Sequence, residues 1–221
     1  MIAEQLINEM IPPLKPCDTG KMAKNWMEEL RINQLPVVDK NHYQGLLTDE
    51  VLMESGSLDR KISDYKLNYK DLFVTRSTHY YDILKLALRN KLQILPVLNE
   101  EKIYMGVVSV YETTAAVAQM FASQGPGAII LLSMKEQDYS MAQISRLIEA
   151  NEVKILSSFV VTDETNPNYI NLTLKLNKTD VARTVATLER YNYNVVAQFS
   201  DDELISNDKE RLDMLMKYLN I

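Results

Sequence analysis

The sequence predicts a mixed α+β protein in which two copies of a helix–strand–strand–helix unit precede a separate β-α-β-β-α-β domain. Two observations predict the repeat. A Leu-Pro-Val run occurs at Pro36 and again at Pro96, 60 residues later, and each run is followed by a Gly, two apolar residues and a hydroxyl residue. A third observation predicts the second domain, because the repeat stops at a Gly-Pro-Gly break, after which apolar residues alternate as they do in strands.

These observations divide the chain into five segments. The predicted boundaries are 1–58 for the first repeat, 59–122 for the second repeat, 123–127 for a linker, 128–200 for the β-α-β-β-α-β domain and 201–221 for a C-terminal amphipathic helix.

In the first repeat, residues 6–10 are interpreted as a short helix that ends before Pro12 and Pro13. An extended lead-in follows at 14–17. Asp18 or Thr19 then caps a helix whose apolar face carries Trp26. Two strands come next, and Thr48 lies where the second strand becomes a helix.

The second repeat has the same order. A polar connector ends in an extended lead-in at 72–78, which precedes a helical pattern at 83–88. Two strands then flank a short turn, and Ser109 takes the place that Thr48 has in the first repeat. A hydroxyl at such a strand-to-helix junction caps free backbone N–H groups or meets an anion.

Beyond the linker, the pattern predicts strands at 128–133, 153–162, 170–176 and 195–199, with one helix starting at Ser140 and another at Asn177 or Thr179. This is the ferredoxin-like β-α-β-β-α-β order. The tail has a helix signature of its own, with Asn207 as N-cap and Glu210 three residues later.

The repeat, with its Leu-Pro-Val run and its Gly, two aliphatic residues and Thr or Ser, resembles the cystathionine-beta-synthase (CBS) domain. Two such domains pack in tandem as a Bateman module. The resemblance implies that a hydroxyl residue and an acidic residue three positions later hold the phosphate and ribose of an adenine nucleotide. Ser109 and Glu112 keep this pair, whereas in the first copy Thr48 is followed by Val51, and Asp49 lies elsewhere on the turn.

The resemblance also implies that the lead-in segments line the ligand cleft, where the guanidinium of Arg76 would grip phosphate oxygens. The full set of candidate ligand-binding residues is Ser109, Glu112, Arg76, Thr78, Pro96, Thr48, Asp49, Lys15, Thr19 and Pro36. Four of them have an alternative interpretation. Ser109 and Glu112 also fit a capping box, Thr48 fits a simple helix cap better than a ligand site, and a loop Arg is usually solvated.

The β-α-β-β-α-β domain is similar to the ACT domain, a regulatory module that binds amino acids at the first strand-to-helix turn and often dimerises. That turn, residues 137–141, lacks the Gly that such binding usually needs, so a structural or dimerising role stays open beside amino-acid binding. Two CBS repeats followed by an ACT-like domain resemble the acetoin-utilisation AcuB-type proteins.

The composition and charge of the chain argue against several classes of function. A net charge of −6 argues against a nucleic-acid partner, and no apolar run is long enough to span a membrane. One cysteine, Cys17, and no visible secretory signal predict a cytoplasmic protein. With two histidines, no metal-ligand cluster or catalytic motif is present in the sequence.

We therefore expect a non-catalytic regulatory module that needs no cofactor, forms a homodimer and binds AMP, ADP, ATP or another adenosyl compound as a regulatory ligand. Such a module would pass its ligand state to an unidentified protein partner. The alternatives are a ligand-independent dimeric scaffold, favoured by Val51, and an enzyme acting on a nucleotide, which lacks a visible nucleophile and base.

Overall fold

The computed structural model of the protein describes residues 1–121 and 125–200. The chain divides into two compact units, Met1–Ala116 and Val117–Ile221. Up to residue 121 the helices and strands are β1 (Ile7–Asn8), α1 (Gly20–Leu30), β2 (Gln34–Asp39), β3 (His42–Thr48), α2 (Asp49–Glu54), β4 (Val74–Thr75), α3 (Tyr80–Asn90), β5 (Ile94–Leu98), β6 (Tyr104–Ser109) and α4 (Val110–Met120). From residue 125 they are β7 (Ala128–Lys135), α5 (Met141–Glu149), β8 (Ile155–Thr162), β9 (Tyr169–Leu176), α6 (Ala182–Arg190) and β10 (Asn194–Ser200).

The predicted repeat is confirmed, since helix, two antiparallel strands and helix occur twice in the first unit. The two copies share their local backbone geometry where the first helix ends. Their first helices, α1 and α3, both end at a left-handed residue, Arg31 and Lys91, and each of these has φ 54° and ψ 41°. In both strand pairs a valine lies opposite the glycine of the motif.

The predicted helix at residues 6–10 is wrong. Ala3–Leu6 forms a 3-10 helix, and Ile7 and Asn8 form β1, which pairs antiparallel with β6 and extends that sheet to the order β1-β6-β5-β4. In the first repeat, the equivalent strand is β3, and Asn68 pairs with it through an isolated antiparallel bridge to Leu46. Ile7 and Asn8 are extended because they add a strand to the sheet of the second repeat.

The first unit has two apolar clusters, each built mainly from one repeat and completed by strand residues of the other, such as Val107 in the first cluster and Leu46 in the second. Leu35, Leu47 and Met27 lie in one cluster, and Leu95, Val108 and Ile83 lie in the other. Trp26 is partly buried against the first cluster, as the sequence predicts. Full burial of a Leu or Ile side chain contributes about 1.5–3 kcal/mol, so these two cores fix the strand-to-helix junctions that carry Thr48 and Ser109.

The second unit has the predicted β-α-β-β-α-β order, with an antiparallel sheet in the order β10-β7-β9-β8. Alternate residues of the two central strands pack with α5 and α6 in one core, and Ser140 caps α5 by accepting from the backbone N–H of Gln143. The buried strand residues are Ala128, Ile130, Leu132, Met134, Ile170, Leu172, Leu174 and Leu176.

The predicted start of the second helix of the β-α-β-β-α-β domain is wrong, because α6 begins at Ala182 rather than near Asn177 or Thr179. Asn177 continues the sheet instead. Its side-chain oxygen accepts from the backbone N–H of Lys154 (2.7 Å), and its own N–H donates to the Lys154 carbonyl (3.1 Å). The predicted tail helix at 201–221 and part of the predicted linker lie outside the described residues.

Candidate functional site

The candidate site lies where β6 becomes α4. Ser109 ends β6, and its Oγ accepts a hydrogen bond from the backbone N–H of Glu112 (3.4 Å). This is the helix cap that the sequence predicts. Among the described residues Ser109 Oγ accepts this bond and donates none, so its proton can be donated to a ligand oxygen.

The carboxylate of Glu112 contacts the N-terminal segment. Its Oε1 accepts a hydrogen bond from Asn8 Nδ2 (2.7 Å), and Asn8 Oδ1 in turn accepts from the backbone N–H of Met10 (2.7 Å). The Ser109 half of the capping box is thus formed, whereas Glu112 Oε1 is directed toward Asn8. Because a carboxylate has about four acceptor positions, Glu112 keeps capacity for further donors.

These groups open into a cleft of about 760 Å³ in the first unit. Both repeats contribute to its walls, which are mostly apolar, with Arg31 and Glu112 as the charged residues. The exposed fractions of Met10 and Tyr111 at the cleft are each 83%. The residues that line it are Asn8, Met10, Ile11, Leu30, Arg31, Ile32, Leu92, Gln93, Ser109, Val110, Tyr111 and Glu112.

At the corresponding junction in the first repeat, the side chains make different contacts. Thr48 is buried and caps α2 by accepting from the N–H of Val51 (3.4 Å), and Val51 packs against the core of that repeat. Asp49 accepts a hydrogen bond from Lys24 Nζ at 3.0 Å, and this bond raises the pKa of the Lys24 ammonium. The first repeat therefore uses these side chains in contacts within the protein.

Arg76 and Thr78 lie away from the cleft. They follow β4, which runs parallel to β5 and pairs with its last residues, whereas Ser109 lies opposite the first residue of β5. The two ends of this five-residue strand are roughly 13 Å apart. Arg76 forms an ion pair with Glu4 and lines a separate hollow of about 300 Å³. Thr78 accepts a hydrogen bond from the backbone N–H of Thr75 (3.0 Å).

The remaining predicted residues also have structural positions. Pro36 and Pro96 are buried within β2 and β5, opposite Leu46 and Val107. The backbone N–H of Lys15 donates to the carboxylate of Asp18 (2.7 Å), and Thr19 caps α1 by accepting from the N–H of Met22 (3.3 Å). Of the ten predicted residues, the structure brings only Ser109 and Glu112 into the 760 Å³ cleft.

Two cleft residues, Asn8 and Arg31, were missed by the sequence analysis. A signal for both was present in the repeat, because Asn8 and Asn68 are 60 residues apart, as are Arg31 and Lys91. Each basic residue precedes the motif proline by five positions. Extending the repeat alignment beyond the Leu-Pro-Val run would have marked both.

Residues 1–121 and 125–200 contain no group of three His, Cys, Asp or Glu side chains placed to bind a metal ion. Over the same residues, none of the helices has the length and apolar character needed to cross a membrane.

No protein-family model matches the chain. Similar solved structures are CBS domain proteins. A CBS domain pair/ACT domain protein from Thermotoga maritima is 24% identical, with a TM-score of 0.49, and the match covers 54% of this chain and 98% of that chain. CBSX2, solved in complex with AMP, is 21% identical over 53% of this chain and 96% of that chain, with a TM-score of 0.46. The CBS domains of a transcriptional regulator from Streptococcus pneumoniae are 19% identical over 52% and 98%, with a TM-score of 0.47.

Proposed function

We propose that this protein is a non-catalytic regulatory module, a Bateman pair followed by an ACT-like domain, which binds an adenine nucleotide in the cleft of Ser109 and Glu112. The observation that carries the proposal is the composition of this cleft. A carboxylate and a hydroxyl at one helix start face a cavity with mostly apolar walls, and its volume of about 760 Å³ suits a small-molecule ligand.

Glu112 supplies the group suited to a ribose. A carboxylate accepts two hydrogen bonds from the adjacent 2′ and 3′ hydroxyls, and such charge-assisted bonds are about twice as strong as neutral ones. The bond from Asn8 occupies one acceptor position of Oε1 and holds the carboxylate in place. Glu112 is therefore oriented before the ligand arrives, which lowers the entropic cost of binding.

The apolar walls suit the adenine ring. Met10 and Tyr111 leave most of their surface exposed, while Ile11 and Leu92 are buried beneath the cleft surface. A flat base placed against these side chains would remove apolar area from water, at about 25 cal/mol per Å². The equivalent position in the first repeat has Val51 for Glu112, so we propose one nucleotide per chain.

Binding would act through the angle between the two repeats. Leu30 to Ile32 belong to the first repeat and Ser109 to Glu112 to the second, so a ligand in the cleft contacts both. The ligand would shift the population toward the arrangement that it binds more tightly, by no more than its difference in affinity for the two arrangements. We propose that a cytoplasmic homodimer passes this change to a protein partner, without a bound cofactor or metal.

A thermal-unfolding series with AMP, ADP, ATP, GMP and S-adenosylmethionine tests the proposal. A ligand at 100 times its dissociation constant stabilises the native state by about 2.7 kcal/mol. We expect an adenine-specific rise in the melting temperature that Glu112→Gln largely removes. Glu50→Gln is the matched control, since Glu50 lies in the first turn of α2, away from the cleft lining, and this variant should respond as the parent does.

Isothermal titration should then give one site per chain. An absent response in the folded parent protein would contradict nucleotide sensing and favour the ligand-independent scaffold, with Ser109 as a helix cap only. The scaffold function is favoured by the side chains of the first repeat. There, Val51 stands at the position of the acidic residue, and Lys24 forms an ion pair with Asp49. Consumption of the nucleotide during incubation would contradict the non-catalytic assignment.

A further inference from the structure

We infer that Arg31, from the first repeat, holds the phosphate of the ligand whose nucleoside is held by the second repeat. This inference rests on the proposed function and extends it, since it makes the phosphate the group that joins the two repeats. It assigns the cleft to a phosphorylated nucleoside rather than to a neutral nucleoside.

The backbone fixes where the Arg31 side chain begins. Arg31 caps the C-terminus of α1 in the left-handed conformation, with its N–H donating to the Glu28 carbonyl (3.3 Å). The next residue, Ile32, donates to the Met27 carbonyl (3.0 Å) and closes the turn. The side chain is exposed and lines both the 760 Å³ cleft and an adjoining hollow of about 270 Å³.

The charge of the cleft points to an anionic ligand group at this side chain. Among the described residues that line the cleft, Arg31 is the only one with a cationic side chain. Its guanidinium forms none of the salt bridges found within residues 1–121 and 125–200, whereas Arg76 is paired with Glu4. A guanidinium binds two phosphate oxygens at once, and this bidentate contact is stronger than a neutral hydrogen bond.

The two charged groups of the cleft belong to different repeats. Glu112, on α4, would take the ribose, and Arg31, at the end of α1, would take the phosphate. Adenosine would therefore lack the contact with Arg31. AMP would make this contact, so the phosphate provides a contact that depends on how the two repeats are arranged.

The repeat also supplies a matched control. Lys91 caps α3 with the same φ and ψ as Arg31, and its N–H donates to the Leu88 carbonyl at the same 3.3 Å. Lys91 is exposed, but it does not line the 760 Å³ cleft. Arg31→Gln and Lys91→Gln therefore remove one positive charge each from equivalent backbone positions, and only the first removes it from the cleft.

The experiment is calorimetric titration of the full chain with AMP and with adenosine, at one fixed ionic strength. We expect Arg31→Gln to weaken AMP binding about tenfold or more, since hydrogen bonds to charged groups contribute more than neutral ones, and to leave adenosine binding unchanged. Lys91→Gln should change neither affinity, and Arg31→Lys should restore part of the AMP affinity.

An unchanged ratio of AMP to adenosine affinity in Arg31→Gln would overturn the role of Arg31 while leaving the nucleotide site intact. Failure of the parent protein to bind either compound would instead overturn the proposed function, and the role of Arg31 with it. Circular-dichroism melting of each variant separates loss of the phosphate contact from loss of folding. A folded Arg31→Lys variant that binds AMP no better than Arg31→Gln would also contradict a charge-based contact.

Discussion

Gly106 lies on β6 next to the residues that pair with β1, and its replacement tests how the fold supports the cleft. Its φ is +143°, a region that side chains rarely adopt. A Cβ built on it would lie 2.7 Å from Ile7 Cγ2. Since carbon atoms in contact are about 3.5–4.0 Å apart, Gly106→Ala would have to move Ile7 Cγ2 by roughly 1 Å, and we expect β1 to shift with this side chain.

The expected loss of stability has two parts. Holding alanine at this φ costs about 1–3 kcal/mol. Displacing β1 weakens its two-residue pairing with Val107 and Val108, where each hydrogen bond contributes about 1 kcal/mol. Asn8 belongs to this strand and holds Glu112, so the same displacement should weaken AMP binding severalfold.

Urea denaturation and AMP titration measure both effects. Gly56→Ala is the control, because Gly56 also has a positive φ, +66°, yet a Cβ there would meet nothing within 4 Å. It should cost about 1–2 kcal/mol through backbone strain alone and leave AMP affinity unchanged. A Gly106→Ala variant that loses no more stability than Gly56→Ala and binds AMP as tightly as the parent would contradict a role for β1 in supporting the cleft.

Two further predictions concern buried and titrating groups. Tyr104→Phe should be neutral or stabilising by about 1 kcal/mol in urea denaturation, because the buried Tyr104 hydroxyl has no partner among the described residues. Tyr43→Phe should instead cost about 1 kcal/mol, since Tyr43 donates to the Tyr69 carbonyl at 2.8 Å; equal effects would contradict this difference. Hydrogen bonds from Thr165, its side chain first, lower the pKa of Asp163 to about 2. This folded-state pKa lies below the unfolded value. The ionised Asp163 carboxylate therefore makes its full contribution to the stability of the fold above about pH 4, and this contribution is lost as the pH falls toward 2. Asp163→Asn should therefore be less stable than the parent at pH 7 and approach it at pH 2, and a pH-independent difference would be the contrary result.

The repeat could be predicted because its signals are local and occur twice. Proline, glycine and hydroxyl residues at fixed spacing mark turns and junctions whatever packs against them. β1 could not be predicted in this way. Its partner strand, β6, lies about 100 residues further along the chain, and two residues carry no periodicity that separates a strand from a helix. Pairing with β6, rather than local preference, makes Ile7 and Asn8 extended.

The residues of the candidate site could likewise be predicted only where the signal is local in the sequence. Ser109 and Glu112 were found because both lie on one helix start, within three residues of each other. Arg76 also follows a strand and precedes a helix, but its strand pairs with the far end of β5, and sequence order does not tell which end of a sheet a loop occupies. Arg31 and Asn8 reach the cleft through the packing of separate segments, which no single window of sequence contains.

The two repeats match in backbone geometry at the end of the first helix and in the helix cap of the junction, so side chains account for much of the difference between the two junctions. Thr48 and Ser109 cap their helices at the same 3.4 Å, and Arg31 and Lys91 have the same φ and ψ. At the acidic position, Val51 packs into a core, whereas Glu112 lies in a cleft with Asn8. One junction is thus closed by contacts within the protein and the other lines a cleft, and this difference is why we propose one nucleotide per chain.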